Sequence, residues 1–349
     1  MKVSCFLAQS CILATLVICA AACAKGPDKT FSIVEEEQRD GYSCSLIEYS
    51  LPSGEVVKSY LLVPDGAERD GSRPGLVLLH DHGARFDIGK EKLVKPLASA
   101  PQNIKLSAEE WAEGGFDGVY FADSLASLGF VVIVPDMLYW GSRSTELCQK
   151  WSRMRFCGEE GDIKAVKDAV YEGQRAVYDS LAKKGIVWAE QTVEEDGYAA
   201  DILKSTGYVD PARIGAFGWS MGAHRTWLLT AARKDIACGV ALCWITLKET
   251  CAQPYKASDY SMLIPELREK HDFPDIAEEL APRPFLFLSG RTDHLFPLWS
   301  VEKAYEKMQD IYKEKGAEGR LSTELFDGGH HCGKAEQSRI VQFFNENLR

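Results

Sequence analysis

The run Gly218-Trp219-Ser220-Met221-Gly222 sets one hydroxyl between two glycines, each two residues away. Arg213–Phe217 before it reads as a strand, and Met221–Arg233 after it as a helix. A strand turning straight into a helix crowds the neighbours of its central residue, so those two positions must lack side-chain bulk. The serine is then held exposed in a strained backbone at the positive end of a helix. That is the setting of a nucleophile. Near neutral pH such a hydroxyl needs a base, and the base needs an orienting acid. In this chain order both should follow late strands. Pro284–Leu288 leads into Ser289-Gly290-Arg291-Thr292-Asp293, and Arg320–Phe326 into Asp327-Gly328-Gly329-His330-His331. Asp293 is the candidate acid, with Glu249 as runner-up. His330 is the candidate base in preference to His331, because the two glycines before it let the loop approach the serine.

An acyl-transfer intermediate places negative charge on oxygen, and two backbone amides should meet it. One is that of Met221. The other should come from the loop after Gly75–His80, where the amides of His82 and Gly83 are equal candidates. The His80-Asp81-His82 spacing also invites a metal, but nothing else in the sequence supplies a matching ligand cluster and there is no CxxC pair. Neither a metal nor a cofactor is expected. Four of the eight tryptophans, Trp140, Trp219, Trp244 and Trp299, fall at or just past strand ends. In parallel sheets that edge binds ligands, and flat rings there suit stacking on sugars; filling the core is the competing role. Arg85 and Arg143 occupy similar loops and are candidates for reading a carboxylate.

These residues need a scaffold. Ser43–Ser50 and Glu55–Val63 read as a hairpin turning at Pro52-Ser53-Gly54. Gly75–His80 and Phe130–Pro135 are continuous apolar runs, typical of strands buried on both faces. Ile236–Cys243 and the two late strands complete a count of eight. Helices are expected over Tyr120–Leu128, Asp162–Lys184, Glu194–Lys204, Leu298–Lys315 and Lys334–Leu348, and one begins at the capping-box spacing Ser107–Glu110. Alternating strands and helices mean a mostly parallel sheet covered on both faces, an α/β class fold. The long connection 245–280 is expected to cap the site. One domain is expected over residues 30–349.

Residues 1–23 differ in kind: Lys2, an uncharged apolar stretch and the small-residue exit Ala20-Ala21-Ala22-Cys23 read as a signal peptide. The sequence ending at Cys23 is similar to a bacterial lipoprotein processing site, with Cys23 as the lipidated residue. The expected location is therefore the periplasm or the cell envelope, with membrane contact only through that anchor. Seven of eleven cysteines lie beyond the leader, an odd number, and Cys148 with Cys157 is the best disulfide candidate. The chain of 349 residues carries 40 Lys+Arg against 51 Asp+Glu. A net charge of −11 without a basic run argues against nucleic acid as a partner.

The elbow, the late acid and the GGH tail resemble the α/β-hydrolase superfamily over nearly the whole chain beyond the leader. The phrases LLHDHGARFDIGKEK, VPDMLYWGSRS, VDPARIGAFGWSMGAHR and FPDIAEELAPRPFLFLSG resemble the dienelactone-hydrolase-like branch of exported bacterial proteins described as acetyl xylan esterases. The resemblance implies an α/β-hydrolase fold, serine carboxylesterase chemistry and a small-molecule or oligosaccharide ester substrate. Two departures stand out. Ser220 replaces the cysteine of true dienelactone hydrolases, and the GGSQGG-type elbow of the better-defined acetyl xylan esterases is absent. A serine peptidase or amidase, and a non-catalytic lipoprotein on the same fold, are the alternatives.

Overall fold

Strand-forming runs with apolar residues at every position need cover on both sides, and the chain provides it. A computed structural model describes residues 29–251, 257–264 and 269–349. The leader, with Cys23, lies outside them. The described strands are β1 (Ser32–Arg39), β2 (Tyr42–Ser50), β3 (Val56–Pro64), β4 (Arg73–Leu79), β5 (Val131–Pro135), β6 (Val209–Trp219), β7 (Cys238–Leu242), β8 (Phe285–Gly290) and β9 (Leu321–Phe326). They form one sheet in the order β1-β2-β3-β5-β4-β6-β7-β8-β9. The first three strands pair antiparallel, β3 pairs antiparallel with β5, and every later pairing is parallel. The carboxyl ends of β4, β6, β7, β8 and β9 therefore share one edge.

Alternation distributes the side chains. Leu76 and Leu78 of β4 join the same core as Phe116, Phe121 and Phe344, from the helices Gln102–Phe116, Phe121–Ser127 and Lys334–Leu348. Val77 and Leu79 point the other way, into a core shared with Ile202 and Leu229 of the helices Trp188–Ser205 and Met221–Ala232. All four β4 residues are fully buried, each stabilising by about 1.5–3 kcal/mol. The helix Leu298–Glu314 covers Phe285 and Phe287 of β8 on that second face.

Three expectations need correction. The sheet has nine strands rather than eight, because Ser32–Arg39 adds an antiparallel edge. Its polar run SIVEEEQR is exposed or half-buried throughout, so no apolar alternation marks it. Ser107 caps no helix. It is buried within Gln102–Phe116, where its hydroxyl accepts from Arg85 Nη1 at 3.0 Å. Cys148 and Cys157 lie on one helix, Glu146–Cys157, the first buried and the second exposed, both free. Nine residues of helix separate them by about 13 Å, beyond disulfide reach.

Between β7 and β8 the described residues form short turns that pack inward on the helix Met221–Ala232. Ser261 Oγ lies 3.4 Å from Met221 Sδ, and Phe273 packs edge-on against Trp244. Among the described residues no helix is long and apolar enough to cross a membrane.

Candidate active site

Ser220 sits where β6 ends and the helix Met221–Ala232 begins, with φ 56° and ψ −124°. A non-glycine residue in that region stores strain that the surroundings must impose. They do. Its amide donates to Leu242 O at 2.8 Å, and its carbonyl accepts from the amides of Ala223 and His224 at 2.8 and 3.1 Å. The flanking glycines are sterically required: a Cβ on Gly218 would stand 2.1 Å from the Gly222 backbone, and one on Gly222 1.9 Å from Leu79 O. The second contact presses the helix start against the end of β4.

The late loops meet in the same way. A Cβ on Gly290 would lie 2.3 Å from Gly329 O, and the Thr292 amide donates to Gly328 O at 2.9 Å. This brings His330 Nδ1 to 2.7 Å from Asp293 Oδ2, with the carboxylate 1% and the imidazole 11% exposed. Asp293 Oδ1 accepts from the Leu295 amide at 2.8 Å. Burial pushes the Asp293 carboxyl up, but the hydrogen bond and charge of His330 and the Leu295 amide outweigh it and hold it below its ordinary range. The His330 ring rests 5.4 Å from that of Trp219, the neighbour of Ser220. His331 instead packs edge-on against Phe326, and the alternative acid Glu249 is exposed on a short turn.

The loop after β4 carries the remaining candidates. Gly83 has φ +53°, and a Cβ there would strike Trp111 at 2.3 Å. Among the described residues, the amides of His82, Gly83 and Met221 donate to no group of the protein. The two histidines are fully engaged. His80 Nδ1 donates to Asp81 O at 3.0 Å and Nε2 accepts from the Met137 amide at 3.1 Å. His82 Nδ1 accepts from the Ala84 amide at 2.9 Å, and Nε2 faces Gln174. Both ring nitrogens of each histidine are therefore occupied within the protein.

The sequence reading missed Cys243. It follows β7 with φ 55° and is fully buried. Its Sγ and the nearest ligand atoms of Asp293 and His330 all lie within 4.8 Å of one another, a grouping with the size of a metal site. Burial and the neighbouring Asp293 push the thiol up, so it stays protonated. An ion would also have to break the bond from His330 to Asp293, and the donor set suits proton movement better. The sequence offered only its place as the last residue of the expected strand Ile236–Cys243, which the structure ends at Leu242.

Most of the proposed aromatic platform is not a surface. Trp140 is fully buried among Phe86, His82 and Trp188. Trp244 is 6% exposed between His224, Trp227, Phe273 and Phe296. Trp219, 4% exposed, supports His330 and stacks near Trp111. Only Trp299, at 47%, offers a face to solvent. A strand-end position does not tell which way a ring turns. The two arginines are committed as well, Arg143 to Glu55 and Glu195, and Arg85 to Glu110 and Ser107.

The chain has an α/β-hydrolase fold. Residues 187–349, from the helix before β6 to the last residue, match the prolyl oligopeptidase family. YtaP of Bacillus subtilis (strain 168), assigned as a hydrolase, is 24% identical over 321 residues, 89% of this chain and 90% of that protein. A Bacteroides fragilis protein assigned as an acetyl xylan esterase superposes with a TM-score of 0.63 at 19% identity, over 86% of this chain and 71% of the other. The glucuronoyl esterase of Solibacter usitatus gives 0.58 at 12% identity, over 94% and 88%.

Proposed function

We propose that the protein is a serine carboxylic-ester hydrolase that cleaves an acyl ester of a carbohydrate through Ser220, His330 and Asp293. The observation that carries this is the 2.7 Å bond from His330 to Asp293, on the sheet edge where Ser220 is held in a strained turn. His330 Nε2 takes the Ser220 proton as Oγ adds to the ester carbonyl. The oxyanion is met by the amide of Met221 and that of His82 or Gly83. As the intermediate collapses, His330 passes the proton to the departing alcohol, a sugar hydroxyl or methanol according to the ester, leaving an acyl-enzyme. Water, activated by the same imidazole, then releases the acid. Asp293 holds the ring and stabilises its cationic form.

The names of the structural neighbours, acetyl xylan and glucuronoyl esterases, support an ester on a sugar. The exposed Trp299, on the first turn of the helix that follows Asp293, supplies one flat face for it. We read the leader as an export signal, which fits a substrate among polysaccharide fragments outside the cytoplasm. An exopeptidase on this fold needs a carboxylate to hold the free amine of its substrate. Asp81, on the oxyanion loop, and Asp136, just past β5, are buried and bonded to Trp111, Lys92 and Lys90 instead.

The test is a panel of acetylated xylo-oligosaccharide, methyl glucuronate ester and a proline-containing peptide amide. Release of acetate or methanol without peptide cleavage is expected. Cleavage of the peptide alone would overturn the ester assignment.

A further inference from the structure

Three side-chain donors converge on two consecutive carbonyls of the oxyanion loop. Lys92 is fully buried, and its Nζ donates to Asp81 O at 2.6 Å and His82 O at 2.8 Å. His80 Nδ1 adds a donor to the first carbonyl at 3.0 Å, and Trp140 Nε1 adds one to the second at 3.1 Å. The Asp81 carboxylate, 3.5 Å from the ammonium, balances its charge and accepts from Trp111 Nε1 at 3.1 Å.

In a trans peptide the C=O of one residue and the N–H of the next point in opposite directions. The one cis bond among the described residues is Ala281–Pro282, so both loop peptides are trans. Fixing the Asp81 carbonyl inward turns the His82 amide outward, and fixing the His82 carbonyl inward turns the Gly83 amide outward. A buried lysine is costly unless its donors are used. This one uses them on the two carbonyls whose partner amides are the oxyanion candidates.

We infer that Lys92 and Trp140 are positioning residues that clamp the Asp81 and His82 carbonyls and so aim the His82 and Gly83 amides at the oxyanion. The inference rests on the serine-hydrolase reading above and adds that half of the oxyanion hole is set from inside the core. It also gives Trp140 a role that fits its burial: the indole N–H does the work, and no face is offered to substrate. The clamp acts only when charge develops on the carbonyl oxygen, so its loss should leave ground-state binding almost untouched.

The test compares wild type with Lys92→Met and Trp140→Phe, the second keeping an aromatic ring while deleting one donor. Each is assayed with p-nitrophenyl acetate and inhibited with a small trifluoromethyl ketone. Ser220 Oγ adds to that ketone carbonyl, the hydroxyl proton passes to His330, and the former carbonyl oxygen becomes the oxyanion. For Lys92→Met the expected result is a kcat about 10²-fold lower, the size of one lost oxyanion donor. The ketone should bind weaker by a similar factor, and KM should stay within about threefold. Trp140→Phe should move kcat and inhibitor affinity the same way by about tenfold. If Lys92→Met fails to fold, Trp140→Phe decides. Folded variants with unchanged kcat and inhibitor affinity, or with losses confined to KM, would overturn the clamp. Failure of the serine-hydrolase reading looks different: Ser220→Ala would then hydrolyse the ester at the wild-type rate.

Discussion

At the scale of single residues the two adjacent histidines are separated by their partners. His330 bonds Asp293 at 2.7 Å while His331 packs on Phe326. His330→Ala should therefore lower kcat by about 10⁴ to 10⁶, as loss of a triad base does, with His331→Ala within about tenfold of wild type. Steady-state kinetics on p-nitrophenyl acetate check both, and the reverse pattern would move the base to His331. The positions of Ser220, Asp293 and His330 at one sheet edge were legible because each depends on a local pattern: glycines that permit close approach, placed after a strand. Cys243 had no such pattern. Its thiol becomes visible only when β7 and β8 are laid side by side, with the Cys243 amide on Leu288 O at 2.7 Å.

At the scale of elements, the parallel strands and their helices followed from apolar runs of the right length, since a strand buried on both faces cannot disguise itself. The edge strand β1 and the helix Glu146–Cys157 were missed for the converse reason. The first is largely exposed, and the second buries only four of its twelve residues. The tryptophans failed differently, because position along a strand fixes where a residue sits but not what its ring touches. Trp299→Ala should leave the melting temperature unchanged and weaken kcat/KM for an acetylated oligosaccharide by about 1–2 kcal/mol, with little effect on p-nitrophenyl acetate. Trp244→Ala opens a hole between His224, Trp227, Phe273 and Phe296, so it should cost about 3–5 kcal/mol of stability and depress both substrates together. Equal losses on the two substrates for Trp299→Ala, with a lower melting temperature, would remove the sugar platform.

For the molecule as a whole, buried histidines make stability depend on pH. His224 is 1% exposed between Trp227 and Trp244, and burial alone lowers its pKa to about 3. Unfolded, it titrates near 6.5. Below that value the unfolded chain takes up a proton that the folded one refuses, so stability is lost as pH falls from 6.5 towards 3. By pH 5 this one residue should account for about 2 kcal/mol. His80 is pushed down by burial and then by Arg225, Lys92 and Lys90; His82 by burial and then by Lys92 and Lys167. Both add in the same direction. Urea unfolding at pH 7 and pH 5 measures the sum, and His224→Phe should shrink the difference by about 2 kcal/mol. An unchanged difference would mean that His224 accepts its proton inside the fold.

The central claim is that Ser220 carries the acyl group, and trapping that group measures it most directly. Wild type would be mixed with a slowly deacylating aryl ester, quenched in acid, and analysed by intact-protein and peptide mass spectrometry beside Ser220→Ala. The account predicts one acyl group per chain, located on the peptide containing Ser220 and absent from the variant. An acyl group on any other residue, or equal labelling of Ser220→Ala, would contradict it.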